Sequence, residues 1–191
     1  MRIFTCYSLF TKMSIKPYSC QLDTDTSMTL KLYLFKNVEN VEDIRKNIMQ
    51  GVWECAVIKP SLVLTPFQVA VAANRAVVAQ KQETMVTRSV YTEILYNLSL
   101  SKNISQSLSK FGIEKDCNLL VCFLITEEND DSAQILSQIR GELCDINKLD
   151  SFTNMEDLKT VYKLNKLNKN SVGDLIDIIV SRMVTKNFVS H

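Results

Sequence analysis

Residues 65–112 carry three consecutive helical patterns, and the first of them leaves the rest of the chain little freedom. It starts at Thr65-Pro66-Phe67-Gln68. Thr65 suits the capping position, Pro66 the first helical position, and Gln68 the place three residues on where a capping box closes. The body that follows, Val69-Ala70-Val71-Ala72-Ala73-Asn74-Arg75-Ala76, is apolar on nearly every side, with Asn74 and Arg75 its only polar residues before Gln80. A helix of that kind has no face to give to water, so other elements must cover it on both sides. Within it Asn74 and Arg75 need a partner or an exit to solvent. A second helix is expected over about 89–98. A third is expected over 104–111, where Ile104, Leu108 and Phe111 share a face and Gly112 stands past the end.

The remaining elements supply that cover. Leu30, Leu32 and Leu34 alternate with Lys31, Tyr33 and Phe35, the pattern of a strand with one buried face. A helix over about 41–50 follows, with Gly51 placed for a left-handed turn after it. Residues 52–64 are rich in branched side chains but broken at Lys59-Pro60, so a short strand and an irregular bend are expected. The apolar run Leu119-Leu120-Val121-Cys122-Phe123-Leu124-Ile125 reads as a central strand. An acidic run then leads into a helix over about 132–140, with negative charge at the positive end of its dipole. Residues 142–146 suit a short edge strand, 155–162 a helix and 172–183 a last helix. The sum is a single α/β domain: a small mixed sheet of three to five strands surrounded by about seven helices. It is expected to span residues 21–187, between a poorly ordered N-terminal tail over 1–20 and a short tail over 188–191. The opening residues make a poor signal peptide, and Met13 is a plausible second initiator. No apolar run approaches the ~20 residues of a membrane helix, so no membrane partner is expected.

Catalytic chemistry has few places to start. The only histidine is His191, which removes the commonest general base and metal ligand from the body of the chain. The six cysteines form no C-x-x-C pair, and such scattered, unpatterned cysteines favour a reducing compartment. No metal site and no cofactor are expected. Four glycines, each near a helix end, leave nothing for a phosphate-cradling loop. Glu93 is an isolated helical acid, more in keeping with a salt bridge than with catalysis. A free-standing enzyme working through a cysteine or lysine remains the rival reading.

Binding is better represented. Net charge is only +1, so attraction to nucleic acid must come from a local patch. The three-helix layer supplies five basic residues against two acidic ones. Lys59, Arg75, Arg88, Lys102 and Lys110 form either an RNA patch or an ordinary solvated face. Tyr91 and Tyr96 serve packing or base stacking. In the last helix Val172, Leu175, Ile176, Ile179, Val180 and Met183 form one stripe, which Ile178 widens. That stripe is either core or half of a protein interface.

Several short motifs, taken in order, resemble one family. They are Leu34-Phe35-Lys36-Asn37-Val38, Pro66-Phe67-Gln68, Ala72-Ala73-Asn74-Arg75-Ala76-Val77, Thr87-Arg88, Thr92-Glu93-Ile94 and Asn97-Leu98-Ser99. Further on stand Asn103-Ile104-Ser105, Lys110-Phe111-Gly112-Ile113, Tyr162-Lys163-Leu164, Arg182-Met183 and Thr185-Lys186. Over residues 21–187 the chain is similar to the TPRKB family, the kinase-binding subunit of the KEOPS (EKC) complex. The resemblance implies a non-catalytic subunit, cytoplasmic and nuclear, that docks on a small atypical kinase/ATPase. Through that kinase it would meet the subunit that transfers threonylcarbamoyl to the adenosine beside the tRNA anticodon. It also implies binding of tRNA, in archaeal members at the 3′ CCA end. On this resemblance Leu175, Ile176, Ile179 and Met183 become the kinase interface, and Lys59, Asn74, Arg75 and Arg88 the tRNA contacts. Without the RNA half the chain would be a pure kinase regulator. The first twenty residues have no counterpart in the family, and residues 163–170 are more basic than its pattern.

Overall fold

The computed structural model of the protein describes residues 15–165 and 171–188. Residues 1–14 of the tail expected over 1–20, Met13 among them, the lysines at 166 and 169, and residues 189–191 with His191 lie outside the described residues.

Leu30, Leu32 and Leu34 project from one face of strand β2 (Thr29–Lys36) into one core, and Tyr33 and Phe35 from the other face into a second. The strand is therefore central, buried on both faces over its second half rather than half-exposed as its alternation suggests. It pairs with β4 (Leu119–Ile125) from Thr29 against Ile125 to Phe35 against Leu119. Two short strands share its other edge, β1 (Tyr18–Gln21) beside residues 29–32 and β5 (Glu142–Cys144) beside residues 34–36. β3 (Ala56–Ile58) lies beyond β4. Every one of these pairings is antiparallel, a narrower arrangement than the mixed sheet expected. The β1–β2 turn alone is too short for a parallel crossover.

β1 begins inside the segment expected as tail. Tyr18 and Cys20 pack against the core while Ser19 and Gln21 face outward. Four residues are too few for that alternation to declare itself in the sequence.

Seven α-helices lie among the described residues. α1 (Val41–Met49) and α5 (Ser132–Ser137) cover the smaller core around Phe35, Trp53, Val57, Val121 and Phe123. On the other face sit α2 (Pro66–Lys81), α3 (Val90–Leu98), α4 (Ile104–Phe111), α6 (Met155–Val161) and α7 (Val172–Thr185). The apolar α2 is the inner member of this layer, with Ala72, Ala73 and Ala76 fully buried. Alanines there let the backbones of its neighbours approach closely.

The expected capping box at the start of α2 is absent. Thr65 occupies the N-cap with extended backbone but makes no side-chain cap bond. Gln68 turns inward instead: its Oε1 accepts from the Leu64 N–H at 2.9 Å, and its Nε2 donates to the Leu62 carbonyl at 3.1 Å. A capping box forms at α3, between Ser89 and Thr92. Gly51 takes the left-handed conformation expected of it, with φ +70°. Gly112 serves another purpose, since a Cβ there would lie 2.6 Å from the Leu108 carbonyl oxygen.

Candidate docking face and cleft

α7 settles which side of its apolar stripe faces inward. Leu175, Ile179 and Met183 are buried in the main core, packed with residues of α2 and α3. These three, expected at the kinase interface, pack in the protein's own core, because a layer around so apolar a helix as α2 needs them there. Ile176 alone of the four keeps part of its surface exposed. Two arginines clamp the helix. Arg75 Nη1 donates to the Met183 carbonyl at 2.6 Å, and Arg182 Nη1 donates to the Lys163 carbonyl at 2.9 Å and to that of Tyr162. One row further round, Val172, Ile176, Val180 and Val184 follow at four-residue steps, and Phe188 continues the spacing. Val172 is 56% exposed and Phe188 88%, with the three between them half-buried. This row is the more exposed apolar side of α7, although Ile176 still packs partly against the main core.

The four tRNA candidates do not form one surface. Asn74 accepts the Asp23 N–H at 2.8 Å and so ties the β1–β2 turn to α2. Arg75 closes the C-terminal end of α7, and burial lowers its pKa. Lys59 lies 3.7 Å from the Asp116 carboxylate, with only 19% of its side chain exposed. Arg88 is exposed and pairs with no carboxylate among the described residues. Asn74 and Arg75 thus take the internal partners that their place on an apolar helix demanded, and this accounts for them structurally.

Arg88 stands at a cleft of about 670 Å³ between α1, β3, α3 and α4. Its walls include Trp53, Tyr91, Leu95, Leu108 and Ile113, and its charged lining sets Arg45 and Arg88 against Glu54 and Glu114. Met49, 81% exposed, adds a flexible apolar edge. That volume falls within the roughly 300–1,000 Å³ of typical small-ligand sites. Lys59 borders this region, donating its N–H to the carbonyl of Phe111, the residue before cleft-lining Gly112. The sequence offered no signal for Arg45, which sits on a helix remote in the chain.

Glu93 explains how Arg88 is held. The carboxylate is buried, and its Oε2 accepts from Val86 N–H at 3.1 Å, Thr87 N–H at 2.7 Å and Thr87 Oγ1 at 2.7 Å. It is a salt-bridge partner to none of the described cations; it folds the segment before α3 onto the helix.

Three of the described thiols are shifted away from activation. Burial pushes Cys55 up to about 12, and raises Cys122 and Cys144 as well, the opposite direction from a working nucleophile. Among the described residues no three His, Cys, Asp or Glu side chains gather to hold a metal ion, and no helix is long and apolar enough to cross a membrane.

The chain thus carries a clamped helix with a half-exposed apolar row and, elsewhere, a cleft with apolar and aromatic walls. The family model described as kinase binding protein CGI-121 matches residues 35–187, and the chain belongs to that family. It is 35% identical over 161 residues to the EKC/KEOPS complex subunit TPRKB of Danio rerio, covering 83% of this chain and 91% of the relative. It is 24% identical over 160 residues to the EKC/KEOPS complex subunit CGI121 of Candida glabrata, covering 81% of this chain and 90% of that one. The corresponding subunit of Candida albicans is 26% identical over 171 residues, 78% of this chain and 82% of the relative.

Proposed function

We propose that this protein is a non-catalytic subunit of a KEOPS/EKC assembly, cytoplasmic and nuclear, that docks on the assembly's small atypical kinase/ATPase and helps bring tRNA to it. The observation that carries the reading is the outer row of α7. Half-exposed apolar side chains run the length of a helix whose neighbouring row is already spent on the core, in a member of a kinase-binding family. Val172, Ile176, Val180, Val184 and Phe188 are the kinase-facing residues in this reading. Contact with the threonylcarbamoyl-transferase subunit is indirect, through the kinase.

The RNA half rests on the cleft at Arg88. Apolar and aromatic walls receive an unstacked base, and Arg45 and Arg88 among the lining residues meet the phosphates that flank it, held away from Glu54 and Glu114 on the same lining. A single-stranded tRNA end such as 3′ CCA suits such a site. A kinase regulator without RNA contact is the second reading, favoured by the internal engagement of Asn74, Arg75 and Lys59.

The test is affinity capture of the full chain from its own cell extract, read by mass spectrometry, beside a tRNA-binding titration. Recovery of the small kinase with the transferase subunit supports the adaptor, and recovery of neither overturns it. Arg88→Glu should weaken binding of intact tRNA and flatten its salt dependence, with little effect on tRNA lacking the CCA end. Equal affinity of wild type and variant for intact tRNA removes the RNA half and leaves the kinase regulator.

A further inference from the structure

Lys186, the residue that caps α7, is 1% exposed. Its Nζ donates to the Tyr96 carbonyl at 2.5 Å and stands 3.4 Å from the centroid of the Tyr96 ring. Among the described residues no carboxylate lies within ion-pair distance of it. The charged and titratable groups that face it are Arg75 from α2, and Glu93 and Tyr96 from α3. With Arg75 partly buried and Glu93 buried, two cations share the site with one anion. The carboxylate is already occupied by three donors from the segment before α3. Among the described residues one positive charge is therefore in excess around a lysine that is 1% exposed, and of the two cations only the lysine readily gives up a proton.

We propose that Lys186 is a proton-operated latch: closing the C-terminal turn onto α3 expels a proton from its ammonium group to solvent, so the closed turn tightens as pH rises. The neutral amine keeps an N–H for the Tyr96 carbonyl and sheds the cost of a second buried cation. Burial first, and then Arg75, push the group down to about 7, while Glu93 pulls the other way. In the open turn the same amine holds its proton to ~10.4. Between these values the open form binds more protons than the closed one, so closure gains with rising pH and has no pH dependence below about 7. The outer row of α7 ends at Val184 and Phe188, either side of this residue. The latch therefore sets whether the last part of that face is in place, a consequence that alone rests on the docking reading above.

The test needs no partner. In the full chain labelled with ¹³C-lysine, the side-chain signal of Lys186 is assigned by its contact with the Tyr96 ring and by its loss in Lys186→Met. It should titrate near pH 7 while exposed lysines titrate near ~10.4. Amide exchange in the last turn of α7, corrected for intrinsic rate, should show opening fall about tenfold per pH unit above 7. That dependence should vanish in Lys186→Met. A Lys186 signal that titrates with the other lysines overturns the latch, as does a Met variant that keeps the pH dependence. Should the variant not fold, the wild-type titration decides the matter by itself.

Discussion

Gln68 and Tyr162, 94 residues apart in the chain, share a 2.8 Å hydrogen bond at a point where both are fully buried. Tyr162 passes the link on by donating to the Leu98 carbonyl at 2.7 Å, so α2, α3 and the end of α6 meet at one hydroxyl. Tyr162→Phe should leave the Leu98 carbonyl buried without that donor, at a cost of about 1–3 kcal/mol. The check is urea denaturation, where the midpoint should fall with the slope unchanged. Gln68→Leu should cost more, since it strips the Leu64 N–H and the Leu62 carbonyl together.

Glu93→Gln should loosen the segment that carries Arg88. An amide oxygen replaces a carboxylate that holds three donors, and charge-assisted bonds are about twice as strong as neutral ones. Amide exchange at Val86 and Thr87 should quicken well before that of the sheet. Uniform acceleration across the protein would show that Glu93 supports the whole fold rather than this segment.

How far the sequence was legible follows from the range of the forces involved. The helices from α1 to α4, strand β4 and the left-handed Gly51 rest on local pattern, and they stand where residue spacing put them. What it did not show was decided between distant residues. Gln68 had a local use as a capping partner and a distant one at Tyr162, and only the folded chain shows the distant one prevailing. Periodicity marked the stripe Leu175, Ile179, Met183 as apolar without saying which neighbour it met. Lys186 appeared as one residue of a family motif, and its burial beneath Tyr96 left no trace in composition. Of the tRNA candidates, Asn74 and Arg75 were flagged by their place on an apolar helix as residues needing partners, and the partners are internal. Arg45 joins the cleft from a helix some forty residues upstream of Arg88.

Gly112→Ala should destabilise by about 1–3 kcal/mol, as overpacked sites do. The added Cβ would meet the Leu108 carbonyl at 2.6 Å, the same oxygen that accepts the Gly112 N–H at 2.8 Å. Relief requires α4 to shift at its last turn, where Leu108 and Gly112 both line the cleft. A thermal melt reads the stability, and an alanine variant as stable as wild type would mean that turn gives way freely.

Ile179→Ala and Val172→Asp separate the two sides of α7. Ile179 is fully buried, and truncating it should cost about 2–5 kcal/mol, the range for such a cavity in a packed core. Val172 is 56% exposed at the first turn of the helix, where a negative charge meets the positive end of the dipole. Its replacement by Asp should leave the unfolding midpoint unchanged or slightly raised. Binding to the purified kinase should respond in the reverse order. The Asp variant should lose affinity at full stability, because it places a charge on an apolar contact. The Ala variant, assayed at a temperature where it is folded, should bind nearly as wild type. If Val172→Asp binds the kinase normally, the N-terminal end of the outer row is not part of the interface.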